Sequence, residues 1–264
     1  MKRGRWALRS IAALVLAFAV VGGCTQTAMI FPAPPRGREP AYPDNLVRTP
    51  GATFLYFEGK RVVAYFHGNG EDLADSVPMI SLLRSFGVGV LAVEYPGYGI
   101  AGGRPSEEGA YAAAESALSW LRTEREVDAS RVVLLGQSLG SGVACEMAKR
   151  GLGARVVLIS PFTSVAAMAR RVFPLLPFPA VFVRHRFDTQ SKAAGIALPV
   201  LIIHGTEDEV VPFAMGERLS RAFPRATLRP IAGAGHNDLL ALHARELRAA
   251  LASFLESDRG QDRR

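Results

Sequence analysis

Residues 132–142 read VVLLGQSLGSG: an apolar, β-branched run passes into glycines that bracket a single serine. "RVVLLG" has the composition of a strand and "LGSGVACEMAKR" that of a helix reaching about residue 150, so Ser138 falls in the turn between them. Such a turn is very tight. Its backbone is strained so that the serine oxygen projects above the sheet, and side chains at the flanking positions would collide with the adjoining strand and helix. Gly136 and Gly140 relieve that crowding, which is the mechanical meaning of G-x-S-x-G.

The same alternation runs outward in both directions. Strand-like "RVVAYF" and "VGVLAVEY" precede the serine, separated by a helix within 72–86 and followed by one from about 106 to 123. After it come "RVVLIS", "PVLIIH", a helix within 212–222, "ATLRPI" and a last helix from about 237 to 255. Strands that are apolar throughout must be covered on both faces. The fold class is therefore α/β, with a mostly parallel, doubly wound sheet. Residues 161–198 are too long for an ordinary crossover and contain four prolines (161, 174, 177 and 179) and the apolar run "VFPLLPFPAVFV". They read as a cap over the carboxyl edge of the sheet, or alternatively as an enlarged crossover helix.

The chain opens differently. Lys2, Arg3, Arg5 and Arg9 precede "IAALVLAFAVV" and then "GGC", the layout of a secretory signal peptide over residues 1–23. The apolar run is too short to span a bilayer comfortably. "VGGC" resembles the lipobox of bacterial lipoproteins, which makes Cys24 the expected lipid attachment point. That resemblance implies a diacylglycerol on the thiol, cleavage before Cys24, and an extracytoplasmic protein anchored to the membrane by two or three acyl chains. Thr25 in place of aspartate favours the outer membrane where the organism has one. An ordinary secretion signal or an uncleaved anchor is the alternative.

Residues 24–52 hold prolines 32, 34, 35, 40, 43 and 50 and read as a stiff tether, or as a surface-packed first strand around "AMIF". The folded domain is then expected over 53–255, with a charged tail at 256–264. Across the whole chain, 49% apolar and 21% charged residues support a sizeable core. Without the four charges of the leader, the net charge of +7 falls to +3, and the remaining basic residues are scattered. They read as a solvated face, so nucleic acid is not an expected partner. Once Cys24 is lipidated, Cys145 has no partner for a disulfide or a metal site and reads as a small buried hydrophobe.

A serine hydroxyl is a poor nucleophile at neutral pH; acyl transfer needs a histidine to take its proton and a carboxylate to orient that histidine. "IIHGTEDEVVP" places Asp208 just after a strand, and "PIAGAGHNDLL" places His236 just after the next. All three side chains are thereby expected at one edge of the sheet.

"HGNGEDL", "EYPGYGIAGGRPSEEG", "GQSLGSGVA", "SPFTSV", "RFDT" and "PVLIIHGTEDEVVP" together resemble the α/β-hydrolase-fold serine hydrolases over about residues 28–255. The nearest group is serine aminopeptidase-like or lysophospholipase-like, whose animal members of the ABHD type include protein depalmitoylases. The resemblance implies an eight-stranded, mainly parallel sheet and no metal or organic cofactor. It selects Asp208 over its neighbours Glu207 and Glu209, because the group's G-x-x-D matches "GTED". It also implies two backbone oxyanion donors: Leu139, and Asn69 in the loop after "RVVAYF", with Gly70 the second choice. His67 and Gly68 shape that loop. Glu94 is a departure, since the group often has aspartate before this tyrosine.

Ester or thioester hydrolysis through an acyl-enzyme is the expected activity. Phe173, Leu175, Leu176, Phe178 and Phe182 in the cap segment point to an acyl or otherwise hydrophobic small-molecule substrate, or else simply pack the cap onto the sheet. Amide or peptide hydrolysis is the enzymatic alternative, and a non-catalytic acyl-binding envelope lipoprotein the alternative of another class. Epoxide or haloalkane hydrolysis would need an aspartate at position 138. Replacing Cys24 with alanine is expected to move the protein out of the membrane pellet on fractionation; a variant still in the pellet would contradict lipid anchoring.

Overall fold

A computed structural model describes residues 26–34, 37–172 and 183–256. The leader, Cys24, the cap residues Phe173, Leu175, Leu176, Phe178 and Phe182, and the tail after Glu256 lie outside the described residues.

Eight strands form one sheet: β1 (Leu46–Arg48), β2 (Thr53–Phe57), β3 (Val62–Phe66), β4 (Gly89–Glu94), β5 (Val132–Gln137), β6 (Arg155–Ile159), β7 (Val200–Gly205) and β8 (Ala226–Ile231). Their spatial order is β1-β2-β4-β3-β5-β6-β7-β8. β1 and β2 pair antiparallel with their neighbours, and every pair from β4 to β8 is parallel. Parallel strands require crossovers, and the helices that supply them lie on both faces. In chain order these are α1 (Val77–Arg84), α2 (Glu107–Glu124), α3 (Leu139–Lys149), α4 (Val165–Val172), α5 (Thr189–Ala193), α6 (Phe213–Ala222) and α7 (Ala244–Glu256). Ser106 caps α2 by accepting the Gly109 N–H at 2.9 Å, and Glu107 and Glu108 add favourable charge in its first turn.

β3 shows why these strands carry no polar face. Val62, Ala64 and Phe66 join the core built with α2, α3 and α6, while Val63 and Tyr65 join the one built with α1 and α7. Every residue of β3, β4 and β7 is buried, as two covered faces demand. Cys145 is buried in α3 as expected, and burial pushes its thiol up to about 12.

Two expectations need correction, and one strand was not anticipated. First, the folded unit begins well before residue 53. Residues 26–30 are helical, Phe31 is buried with its ring 5.1 Å from His185 and 6.0 Å from Phe187, and β1 extends the sheet. Proline disfavours a continuing helix or central strand, yet it also leaves less backbone freedom to lose when the segment docks. The prolines therefore mark an irregular segment that packs, not a free tether. Second, "TFLYF" is a strand that the sequence pattern did not announce: Phe54 to Phe57 are all buried, so it shows no alternation, and Thr53 is its one β-branched residue. Third, the last helix starts at Ala244 and not near 237. Asp238 accepts the Gly235 N–H at 2.9 Å and the Leu242 N–H closes on the Asp238 carbonyl at 2.7 Å, giving a turn where a helix was expected.

The described parts of 161–198 are residues 161–172, which include α4, and 183–198, which include α5. Glu107 in α2 pins the second of these by accepting the N–H groups of Arg186 at 2.5 Å and Phe187 at 2.9 Å.

Candidate active site

Ser138 stands between β5 and α3 with φ 48° and ψ −113°, a backbone state that side chains rarely adopt. The flanking glycines explain how the chain reaches it. A Cβ on Gly136 would sit 2.2 Å from the Gly140 carbonyl oxygen, and one on Gly140 would sit 2.0 Å from the Phe66 carbonyl oxygen. Helix and strands are thus in backbone contact, and only glycine fits at both positions. The Ser138 N–H is held by the Ile159 carbonyl of β6 at 2.9 Å. The turn's rigidity leaves the hydroxyl at the carboxyl edge of the parallel strands.

β7 and β8 deliver the other two members from the neighbouring loops. Ser138 Oγ and His236 Nε2 are 3.0 Å apart, and His236 Nδ1 and Asp208 Oδ2 are 2.8 Å apart. Asp208 is buried, and its Oδ1 accepts the N–H groups of Val210 at 3.0 Å and Val211 at 2.7 Å. Burial alone would raise its pKa. The bonds from His204, His236 and the backbone outweigh that and hold it well below the usual carboxylate range. Asp208 stabilises the fold at all pH values above its unfolded-state titration, and that contribution is lost only as pH falls through its depressed folded value. It is ionised wherever His236 can act as a base. Its negative charge faces Nδ1, which fixes the ring hydrogen there and leaves Nε2 to accept the serine proton.

His204 is a contact that was not legible beforehand. It is fully buried at the end of β7, and its Nε2 lies 2.9 Å from the Val211 carbonyl and 3.2 Å from Asp208 Oδ2. Its place in "IIHG", four residues before Asp208 on the strand that leads into the loop, was the available signal. The acidic neighbours behave differently. Glu207 and Glu209 are exposed, and Glu209 only reaches the His236 N–H, at 3.4 Å.

Asn69 and Leu139 line the same cavity as Ser138, of about 200 Å³, with Met29, Phe162, Met168 and Val211 among its apolar walls. Neither N–H is bonded to an acceptor among the described residues. The Gly68 N–H, by contrast, is already taken by Glu71 Oε2 at 2.8 Å. Met29 and Ile30 bring the segment expected as a tether into the wall of the site. A second cavity of about 300 Å³ borders His236 and includes Tyr65, Glu71, Gln137 and Asn237. Among the described residues, no cluster of three or more His, Cys, Asp or Glu side chains could hold a metal ion.

The family model described as Alpha/beta hydrolase family matches residues 62–194, half of the chain. The chain belongs to the alpha/beta hydrolase family. Among this hydrolase's relatives, an uncharacterized protein of Mycobacterium tuberculosis is 36% identical over 191 residues, covering 72% of this chain and 67% of that protein. The alpha/beta hydrolase domain-containing protein 17C of Xenopus tropicalis is 36% identical over 184 residues, covering 67% of this chain and 56% of the relative. The chain thus spans little more than half of that curated relative. Among solved structures, an esterase of Pyrococcus furiosus superposes with a TM-score of 0.67 at 18% identity, covering 85% of this chain and 96% of its own. A monoacylglycerol lipase of Paleococcus ferrophilus does so with a TM-score of 0.61 at 22% identity, covering 77% and 98%. At these identities the likeness is one of fold.

Because Asp208 selects the histidine tautomer, Asp208→Asn is expected to lower kcat by roughly ten-thousandfold with the fold retained. Glu209→Gln should change it by no more than a few-fold. Ester turnover measured on the two purified variants decides it, and the reverse ranking would displace Asp208 from the role.

Proposed function

We propose that this hydrolase cleaves carboxylic ester or thioester bonds of acyl or otherwise hydrophobic substrates through a serine acyl-enzyme. The observation that carries the proposal is the continuous relay from Asp208 through His236 to Ser138, at 2.8 and 3.0 Å, opening into an apolar cavity. In this reading the Ser138 oxygen attacks the carbonyl carbon as its proton passes to His236 Nε2. The carbonyl oxygen takes up negative charge and is stabilised by the N–H groups of Asn69 and Leu139; such a donor is typically worth about a hundredfold to a thousandfold in turnover. The tetrahedral adduct then collapses. The carbon–oxygen or carbon–sulfur bond to the leaving group breaks, His236 returns its proton to that group, and the acyl chain stays on Ser138. Water deprotonated by His236 attacks the acyl-enzyme in the same way and releases the carboxylic acid, with Ser138 recovering its proton.

The apolar wall formed by Met29, Ile30, Phe162 and Met168 suits the acyl portion, and the more polar cavity beside His236 suits the leaving group. The relatives support the class of chemistry in words only: one solved neighbour is named an esterase and another a monoacylglycerol lipase. The proposal includes an extracytoplasmic location with Cys24 as a membrane anchor, supported by the charged and apolar pattern of the leader and by "VGGC".

A fluorophosphonate probe is expected to label the wild-type protein and not Ser138→Ala. A series of p-nitrophenyl esters from acetate to palmitate should then be hydrolysed, with aminoacyl amides cut poorly or not at all. Folded protein that takes no label would favour a binding role. Cleavage of the amides with every ester untouched would replace the esterase reading by an amidase one.

A further inference from the structure

Glu94, the departure in "EYPGYG", ends β4 with only 1% of its side chain exposed, as does its partner His67. Its Oε1 lies 3.0 Å from His67 Nε2, and its Oε2 accepts the Leu73 N–H at 3.1 Å. The other ring nitrogen, Nδ1, lies 2.9 Å from the Gly68 carbonyl oxygen. A carbonyl oxygen can only accept, so Nδ1 carries a hydrogen; with Glu94 as the anion of the pair, Nε2 carries one as well. The ring between them is a cation, and a buried cation persists only when it is paired and hydrogen-bonded.

We infer that Glu94 is a positioning residue, holding His67 as an imidazolium whose two N–H groups clamp the loop 67–73 and so keep the Asn69 N–H aimed beside Ser138. The inference rests on the reading of Asn69 as an oxyanion donor. Each end of the loop is tied. Glu94 grips His67 and Leu73 with one carboxylate, Tyr95 Oη–H donates to the His67 carbonyl at 2.9 Å, and Tyr98 Oη–H donates to Asn69 Oδ1 at 3.3 Å. The extra methylene of glutamate over aspartate lets the carboxylate reach both partners. Gly99 makes room for it: φ there is +45°, and a Cβ would fall 2.4 Å from Glu94 Oε2. That contact accounts for the last glycine of "PGYG".

Burial works against a charged His67, but the bonds to Glu94 and Gly68 and the field of Glu94 and Glu71 outweigh it and raise its pKa above the ordinary 6.5. The other groups around the pair leave this balance intact. Burial holds the Tyr95 and Tyr98 hydroxyls protonated, and the buried Asp72 carboxylate near Gly99 is 3.4 Å from Arg38. For a histidine whose folded pKa is raised, the clamp is complete at low pH and is lost as pH rises through that folded value.

Two measurements on the full chain test this. In ¹⁵N NMR of labelled histidines titrated upward from pH 6.5, one imidazole is expected to keep both nitrogens protonated above the ordinary histidine range, an effect absent in Glu94→Gln and partly restored in Glu94→Asp. In ester hydrolysis, Glu94→Gln should lose about tenfold to a hundredfold in kcat with KM unchanged. The alkaline limb of its kcat profile should move to lower pH. Wild-type His67 found to lose its second proton at or below the ordinary histidine pKa overturns the inference whether or not the variant folds. So does a folded Glu94→Gln protein with unaltered kcat and pH profile. If Ser138→Ala is as active as wild type, the hydrolase reading fails instead, and the NMR result still decides the state of His67.

Discussion

The start of α3 lies backbone to backbone against the ends of β3 and β5, with no room for a methyl group at Gly136 or Gly140. This constraint places the reactive groups. It forces Ser138 into a positive-φ turn, puts the Leu139 N–H at the first position of a helix, and brings the loop that follows β3 alongside both. A non-glycine residue in such a conformation costs about 1–3 kcal/mol. The fully buried Val143 and Met147 of α3 offset this, since burying one large apolar side chain contributes about 1.5–3 kcal/mol. The strained turn is held by the core around it.

A His-Gly dipeptide follows one strand and ends another, and in each case it anchors a functional loop. β3 ends before His67-Gly68 and β7 runs into His204-Gly205, with both histidines buried beneath loops at the same edge of the sheet. His204 reaches Asp208 within its own loop, whereas His67 reaches Glu94 on the adjacent strand. In both cases a buried carboxylate accepts N–H groups from a buried histidine and from the backbone, and so ties down a loop carrying groups assigned to catalysis. Gly205 extends the parallel: a Cβ there would lie 2.2 Å from the Ala234 carbonyl oxygen, so the loops bearing Asp208 and His236 are packed backbone to backbone, as the serine turn is against β3.

Much of this was legible in the residues because it follows from local pattern. Five strands announced themselves as largely apolar runs and "ATLRPI" as a more polar one; Ser138 and Asp208 follow two of the former and His236 follows the last, so the rhythm of the chain already put them at one edge. The missed features depend on contacts distant in sequence. "TFLYF" has a single β-branched residue, Thr53, and no alternation, and it is a strand because β4 lies beside it. Nothing local in "AMIF" shows that Met29 and Ile30 wall the cavity of a serine more than a hundred positions away. The turn at 238–242 suits a helix by composition, and the Asp238 side chain decides otherwise by accepting the Gly235 N–H. Glu94 stood out as a departure from the group's pattern, but its use became visible only with His67 and Leu73 at either oxygen.

The account's central claim is that the Ser138 oxygen becomes covalently acylated during turnover. Rapid acid quenching of the full chain with excess p-nitrophenyl ester, followed by proteolysis and mass spectrometry of the peptides, tests it directly. The account predicts the mass of the acyl group on the peptide containing Ser138, localised to that residue and appearing with the first burst of nitrophenol. Ester consumed at full rate with Ser138 unmodified, or with the acyl group on another side chain, would contradict it.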